Sequence, residues 1–140
     1  MPAPPLFVAA VAVLVIRDGR VLAMRRAATK DAGAGLWEAV SGRLDPDEDP
    51  RDAAAREVAE ETGLEVAIEP RPWTAYAARR NEVPMLLVTY RAAWRAGEVR
   101  RSDEHDAHAW LDADAFAEAS RIPKLVEAVR SALASTPPAT

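Results

Sequence analysis

Residues 42 to 64, GRLDPDEDPRDAAAREVAEETGL, set one glycine, one isolated glutamate and a close group of glutamates at fixed offsets: Gly42, Glu48, Glu57, Glu60 and Glu61. At about 100° per residue, Glu57, Glu60 and Glu61 fall within roughly a 100° arc of a helix. Their pairs at three- and four-residue spacing repel, at about 0.2–0.5 kcal/mol each in an isolated helix. A solvated acidic face tolerates that repulsion. A hard divalent cation removes it, because Mg2+ takes oxygen ligands in an octahedral shell that waters and phosphate oxygens complete. Spacing alone leaves both readings open. Ala55, Val58 and Ala59 lie opposite the glutamates, so the segment reads as a helix with one acidic and one apolar face.

Other side chains can take part in the same chemistry. Arg56 precedes Glu60 by one helical turn, a spacing that serves an ordinary surface ion pair or the fixing of a working carboxylate. A second acidic group, Asp103-Glu104-His105-Asp106, comes shortly before Trp110-Leu111 and by itself reads as a charged loop tip. His105 and His108 have a spacing compatible with a metal pair, although oxygen ligands suit phosphate chemistry better. Trp73, Tyr76 and Trp94 can stack on a base or fill a core, and Arg43, Arg79 and Arg80 can meet phosphate or only solvent. With no cysteine and no serine beside a recognisable base, a metal-activated water is the available nucleophile.

Read in order, Gly42, Glu48, Arg56, Glu57, Val58, Glu60, Glu61, Gly63 and Leu64 fill every fixed position of a longer pattern, and the segment resembles the Nudix box. That resemblance implies an α/β fold, the Nudix α/β/α sandwich with a mixed sheet. It implies an Mg2+-dependent pyrophosphohydrolase, with Mn2+ as an alternative ion, that cleaves the phosphoanhydride of a nucleoside diphosphate linked to another group, X. The products would be a nucleoside monophosphate and phosphorylated X or pyrophosphate. Glu57, Glu60 and Glu61 would be the metal set, with the main-chain carbonyl at Ser41 and the carboxylate of Glu104 joining them. Any of Glu57, Glu60, Glu61 and Glu104 can then take the water's proton, Arg56 would hold carboxylates in place, and Glu48 would stand behind the metal shell. The stretch Leu36 to Gly42 resembles the family's Trp-x-x-Pro-Gly-Gly, with Val40 and Ser41 replacing the proline and first glycine. The isopentenyl diphosphate isomerase branch needs an active-site cysteine, which this chain lacks. The alternative is a non-catalytic ligand-sensing or protein-interaction domain on the same fold; such domains usually lose box carboxylates, and none is lost here.

Elements that would position these residues follow from the patterning. Apolar runs from Val8 to Ile16 and Val21 to Arg26 flank Asp18-Gly19, a hairpin signal. Thr29 to Gly35 reads as a loop, and Trp37 to Ser41 as a short strand feeding the box. Asp47 to Asp49 before Pro50 gives a helix start, and Gly63 a stop. Leu64 to Ile68, Trp73 to Ala78, Pro84 to Trp94 and Ala107 to Leu111 read as strands, with Arg79-Arg80-Asn81-Glu82 as a polar turn. Asp112 caps a short helix through Ala119, and a last helix from Pro123 to Leu133 presents Leu125, Val126, Val129 and Leu133 to the body.

Composition agrees with one ordinary domain. The 140 residues are 49% hydrophobic, enough for a single core over 1–140, with 1–5 and 135–140 expected as frayed termini. A formal net charge of −4 argues against a nucleic acid polymer as partner and for a small nucleotide-type substrate. The apolar start lacks a basic flank, so no membrane association is expected. The absence of cysteine is compatible with a cytoplasmic setting, and a monomer or a homodimer fits the length.

Overall fold

The computed structural model describes residues 2–28 and 33–138; part of the loop expected from Thr29 lies outside them. In chain order the elements are β1 (Val8–Arg17), β2 (Arg20–Arg26), β3 (Trp37–Glu38), β4 (Val40–Arg43), α1 (Pro50–Thr62), β5 (Glu65–Ile68), β6 (Ala75–Arg80), β7 (Val83–Ala96), β8 (His105–Leu111), α2 (Ala113–Ala119) and α3 (Pro123–Ala134).

β1 carries no polar residue from Val8 to Ile16, as a strand covered on both faces should. Val11, Val13 and Val15 pack into one core cluster, while Ala12, Leu14 and Ile16 pack into another. β1 turns into β2 through Asp18 and Gly19, both at positive φ (51° and 73°), the backbone a two-residue hairpin requires. Along one edge β1 pairs in parallel with β7, from Val8 with Met85 to Ile16 with Ala93. Along the other it pairs antiparallel with β4, which sets Gly42 opposite Val11 and Ser41 opposite Ala12. β5 and β6 pair with β7, and β3 and β8 pair with β2, giving a mixed sheet of eight strands.

Helices cover both faces, the α/β/α arrangement the sequence implied. α1 contributes Ala53, Ala54 and Val58 to the cluster on one face. Phe116 of α2 and Leu125, Ala128 and Val129 of α3 fill the cluster on the other. α3 matches its expected face, although Val126 and Leu133 are only partly buried. Among the described residues, no helix is long and apolar enough to cross a membrane.

Three details depart from expectation. Ala55 and Ala59 of α1 are exposed, whereas Glu57 and Glu61 are buried beside Ala53, Ala54, Val58 and Thr62. The helix therefore turns two of its acids toward the sheet, because on β4 the Ser41 amide receives Glu61 and the hollow at Gly42 admits Glu57. β6 extends through Arg80, so the turn is only Asn81-Glu82, both at positive φ (50° and 68°). Within the C-terminal stretch expected to fray, the Thr136 carbonyl accepts from Nη1 of buried Arg91, which also donates to the Ala132 carbonyl of α3.

Candidate active site

α1 sets the geometry. Pro50 opens its first turn after extended Asp49, which makes no side-chain cap. Gly63 closes it at φ 70°, its N–H reaching the carbonyls of Val58 and Ala59. Arg56 is the hub of the face between. Its Nε and Nη2 each lie 2.9 Å from Glu48, its Nη1 lies 2.7 Å from Glu57 Oε1 and 3.3 Å from Glu60 Oε2, and its Nη2 donates to the Arg43 carbonyl at 2.9 Å. One guanidinium thus ties α1 to the loop before it and to the end of β4. Its hydrogen bonds, with a backbone bond from Asp45, hold the Glu48 carboxyl down at about 2.

Gly42 and Glu57 interlock. A Cβ at Gly42 would overlap the Glu57 carboxylate, so glycine leaves the hollow into which this acid turns. Burial pushes the Glu57 carboxyl up against the opposing pull of Arg56. Glu61 lies deeper, at 2% exposure, with Oε2 accepting from the Ser41 amide at 3.1 Å. Burial first, and then the charges of Glu57, Glu38 and Glu104, pushes its carboxyl up to about 9. Glu60 is exposed at the rim.

An open cleft of about 570 Å³ collects these residues. Ser41, Gly42, Glu57, Glu60 and Glu61 line one part of it, and Asp103 and Glu104 approach from the loop before β8. The Glu104 carbonyl accepts from Ala27 N at 2.8 Å, fixing that loop against the end of β2. Arg26, Arg43 and Arg80 line the same cleft, so three cations face the acidic group. Next to it, sharing Ser41, Arg80, Met85 and Leu87, lies a smaller hollow of about 150 Å³. Leu36, Ala39, Tyr76, Ile122 and Leu125 give it apolar walls. Burial, and then the charge of Glu38, pushes the Tyr76 hydroxyl up to about 12.

Beneath the cleft is a buried polar group that sequence reasoning did not assemble. Glu38, at 3% exposure, accepts from Arg26 Nη1 at 3.2 Å, from Ser41 Oγ at 3.2 Å and from His105 Nε2 at 2.9 Å. The His105 ring is fully buried; among the described residues its Nδ1 has no hydrogen-bond partner, and it stands 3.6 Å from Glu61 Oε1. His105 and His108 do not form the metal pair their spacing suggested, because they go to opposite neighbours: His108 Nδ1 meets Arg101 at 2.6 Å. Trp94 stacks under Arg17 and Trp73 beneath Arg91, both in packing roles away from the cleft. Arg79 caps its own turn at the Glu82 carbonyl. Glu38 could have been noticed as an acid inside an otherwise apolar stretch, but no spacing rule joins it to His105, 67 positions away.

The donor set fits a hard divalent ion. Glu57, Glu60, Glu61 and Glu104, which line the cleft, and the main chain at Ser41 would offer such an ion oxygens alone, and the hollow at Gly42 lets Glu57 turn toward the cleft. A carboxyl as deeply buried as Glu61 ionises readily only beside added positive charge. Among the described residues no three acids or histidines already surround one point. Arg56 engages Glu57, and Ser41 engages Glu61, as the chain stands.

A family model described as NUDIX domain matches residues 6–132. A MutT-like protein from Streptomyces ambofaciens is 38% identical over 116 residues, covering 82% of this chain and 70% of that one. A CTP pyrophosphohydrolase from Escherichia coli K12 is 33% identical over 103 residues, covering 71% of this chain and 72% of that one. The crystal structure of a MutT protein from Methanosarcina mazei Go1 superimposes with a TM-score of 0.81 over 95% of this chain and 96% of that chain, at 21% identity, and so shares the fold.

Proposed function

Because the chain belongs to the NUDIX domain family of hydrolases, we propose that it is a Mg2+-dependent pyrophosphohydrolase, active also with Mn2+, that splits the phosphoanhydride of a nucleoside diphosphate linked to a group X. The observation that carries the proposal is the shared cleft: four glutamates face three arginines across a space open to solvent. Acids alone would suit a cation and arginines alone a phosphate; together they suit a metal–diphosphate complex. One of the named sequence relatives is a CTP pyrophosphohydrolase, which is in keeping with this reading.

In this reading Glu57, Glu60, Glu61, Glu104 and the Ser41 carbonyl hold the ion, which when bound supplies Lewis acidity and a water of lowered pKa. The chain's own groups do the rest. Arg56 keeps Glu57 and Glu60 on one side of the cleft, and Glu48 keeps Arg56 there. Arg26, Arg43 and Arg80 orient phosphate oxygens and offset charge as it develops on them. The apolar hollow behind Arg80 receives the organic part of the substrate, leaving its diphosphate in the acidic cleft. One of Glu57, Glu60, Glu61 and Glu104 accepts the proton as water attacks phosphorus in line, with no covalent intermediate. A cytoplasmic setting with its nucleotide pools belongs to the same reading.

Hydrolysis of nucleotide sugars, ADP-ribose, dinucleoside polyphosphates and normal and oxidised deoxynucleoside triphosphates with Mg2+ in oxygen-18 water tests this. Label on a phosphate of one product is expected. Label on a carbon of X, or no turnover of any member, overturns the proposal.

A further inference from the structure

The cleft's most deeply buried acid is met from the sheet side by a histidine that the hydrolytic scheme above leaves without a task. Glu61 comes from α1, Glu38 from β3 and His105 from the first position of β8, so three separate elements converge beneath the cleft floor. Glu38 is gripped at both oxygens, by Arg26 and Ser41 as well as by His105, with Arg80 at 3.9 Å. A carboxylate so held fixes the plane of the imidazole and keeps Nε2 as the bonded end. Nδ1 is thereby left as the free end, buried and unpartnered, 3.6 Å from Glu61 Oε1. That is longer than a hydrogen bond, and a side-chain adjustment of less than an ångström closes it. Ser41 links the same two acids a second time, with its amide on Glu61 Oε2 and its hydroxyl on Glu38 Oε1.

We propose that His105 is a positioning residue for Glu61: anchored on Glu38 through Nε2, it presents Nδ1 to Glu61 Oε1 and, with the Ser41 amide on the other oxygen, fixes the rotamer in which this carboxyl faces the cleft. The inference rests on the functional reading above for what Glu61 does, but not for how Glu61 is held. A purely space-filling histidine would need neither the buried Glu38 anchor nor a bare ring nitrogen aimed at an acid.

Two substitutions separate the ring's two ends. His105→Asn keeps a polar atom near the place of Nδ1, and His105→Gln keeps one near the place of Nε2. Both remove the ring, so both cost stability. The Ser41 amide proton, which donates to Glu61, is followed by NMR in the metal-free full-length protein, and Mn2+ affinity by electron paramagnetic resonance without substrate. His105→Gln is expected to move the Ser41 amide resonance, weaken Mn2+ binding about 10- to 100-fold and lower kcat more than it raises KM. His105→Asn, which gives up the Glu38 anchor but keeps a polar atom toward Glu61, is expected to weaken Mn2+ binding less than His105→Gln does and to move the Ser41 resonance less. Equal behaviour of the two variants, or an unmoved Ser41 resonance in both, overturns the proposal. If neither variant folds, nitrogen-15 histidine labelling decides it: Glu61→Ala must move the His105 Nδ1 resonance more than that of Nε2, and an unchanged Nδ1 overturns it. Should wild type neither bind Mn2+ nor hydrolyse any nucleotide, the functional reading fails while the Ser41 and Nδ1 resonances still decide the role of His105.

Discussion

The Glu57 carboxylate occupies the space that a side chain at Gly42 would fill. Gly42 sits on β4 opposite Val11, so the strand that carries it is pinned on β1, while Glu57 comes from the helix above. The backbone at Gly42 is not in the left-handed region, so an alanine there meets a steric obstacle and no conformational one.

Gly42→Ala is therefore expected to swing the Glu57 carboxylate out of its hollow and away from Arg56 while the fold survives. Activity should fall about 10- to 100-fold, and Tm should change by only a few degrees. Steady-state kinetics beside a thermal melt check it, and kcat/KM within twofold of wild type would refute the interlock.

Glu60→Gln and Glu61→Gln should each remove most of the activity at saturating Mg2+, by about 100-fold or more. Their stabilities should diverge from their activities. The Glu61 carboxyl lies at about 9 in the fold against an ordinary 4.5, so at pH 8 folding must protonate it; an amide needs no proton and should melt no lower than wild type at that pH. Wild-type turnover in either variant would remove that residue from the site.

Glu104 reaches the cleft from a different element, and its substitution separates two roles. Glu104→Gln is expected to lower kcat by about 10²–10⁴ if it takes the water's proton, with loss of the corresponding limb of the pH–rate profile. A smaller loss, matched by a higher Mg2+ requirement, assigns it to holding the ion. An unchanged rate with an unchanged Mg2+ requirement excludes it.

Acid stability should report the Glu48–Arg56 pair. Its folded-state carboxyl lies at about 2, below the ordinary 4.5, so the pair's contribution is complete above about 4.5 and is lost as pH falls through about 2. Tm measured from pH 6 to pH 2 should fall less steeply for Glu48→Gln than for wild type. Parallel curves would show that the pair adds nothing to folding.

The box was legible because its chemistry depends on fixed spacings along one helix and the loop before it. Gly42, Glu48, Arg56, Glu57, Glu60 and Glu61 lie within 20 residues and meet because α1 turns as any helix does. The orientation of that helix was not legible. Amphipathic reasoning sends acids to water, yet Glu57 and Glu61 face inward because a backbone amide and a glycine hollow on β4 receive them, with Arg56 of the same helix beside Glu57. Glu104 could be nominated from its place before Trp110, but its arrival at the cleft depends on β8 pairing with β2. The Glu38–His105 contact was out of reach for the same reason, since only the sheet register brings these residues together. Nor could the apolar hollow be foreseen, because its walls come from loop, strand and helix at once.

The parallel ladder between β1 and β7 has a consequence for how the chain comes into being. Strand β1 leaves the ribosome before its partner from Met85 to Ala93, which is made only after β2 to β6. Until then an unbroken apolar strand stands with one edge unpaired, a template for any other nascent strand nearby. The hairpin with β2 lies along the opposite edge of β1 and leaves this one bare. Loop closure over such a distance makes this ladder slow to form. Since Met85 and Leu87 of β7 line the cleft, it is incomplete until this ladder forms, and partly synthesised chains should be the form most prone to aggregate.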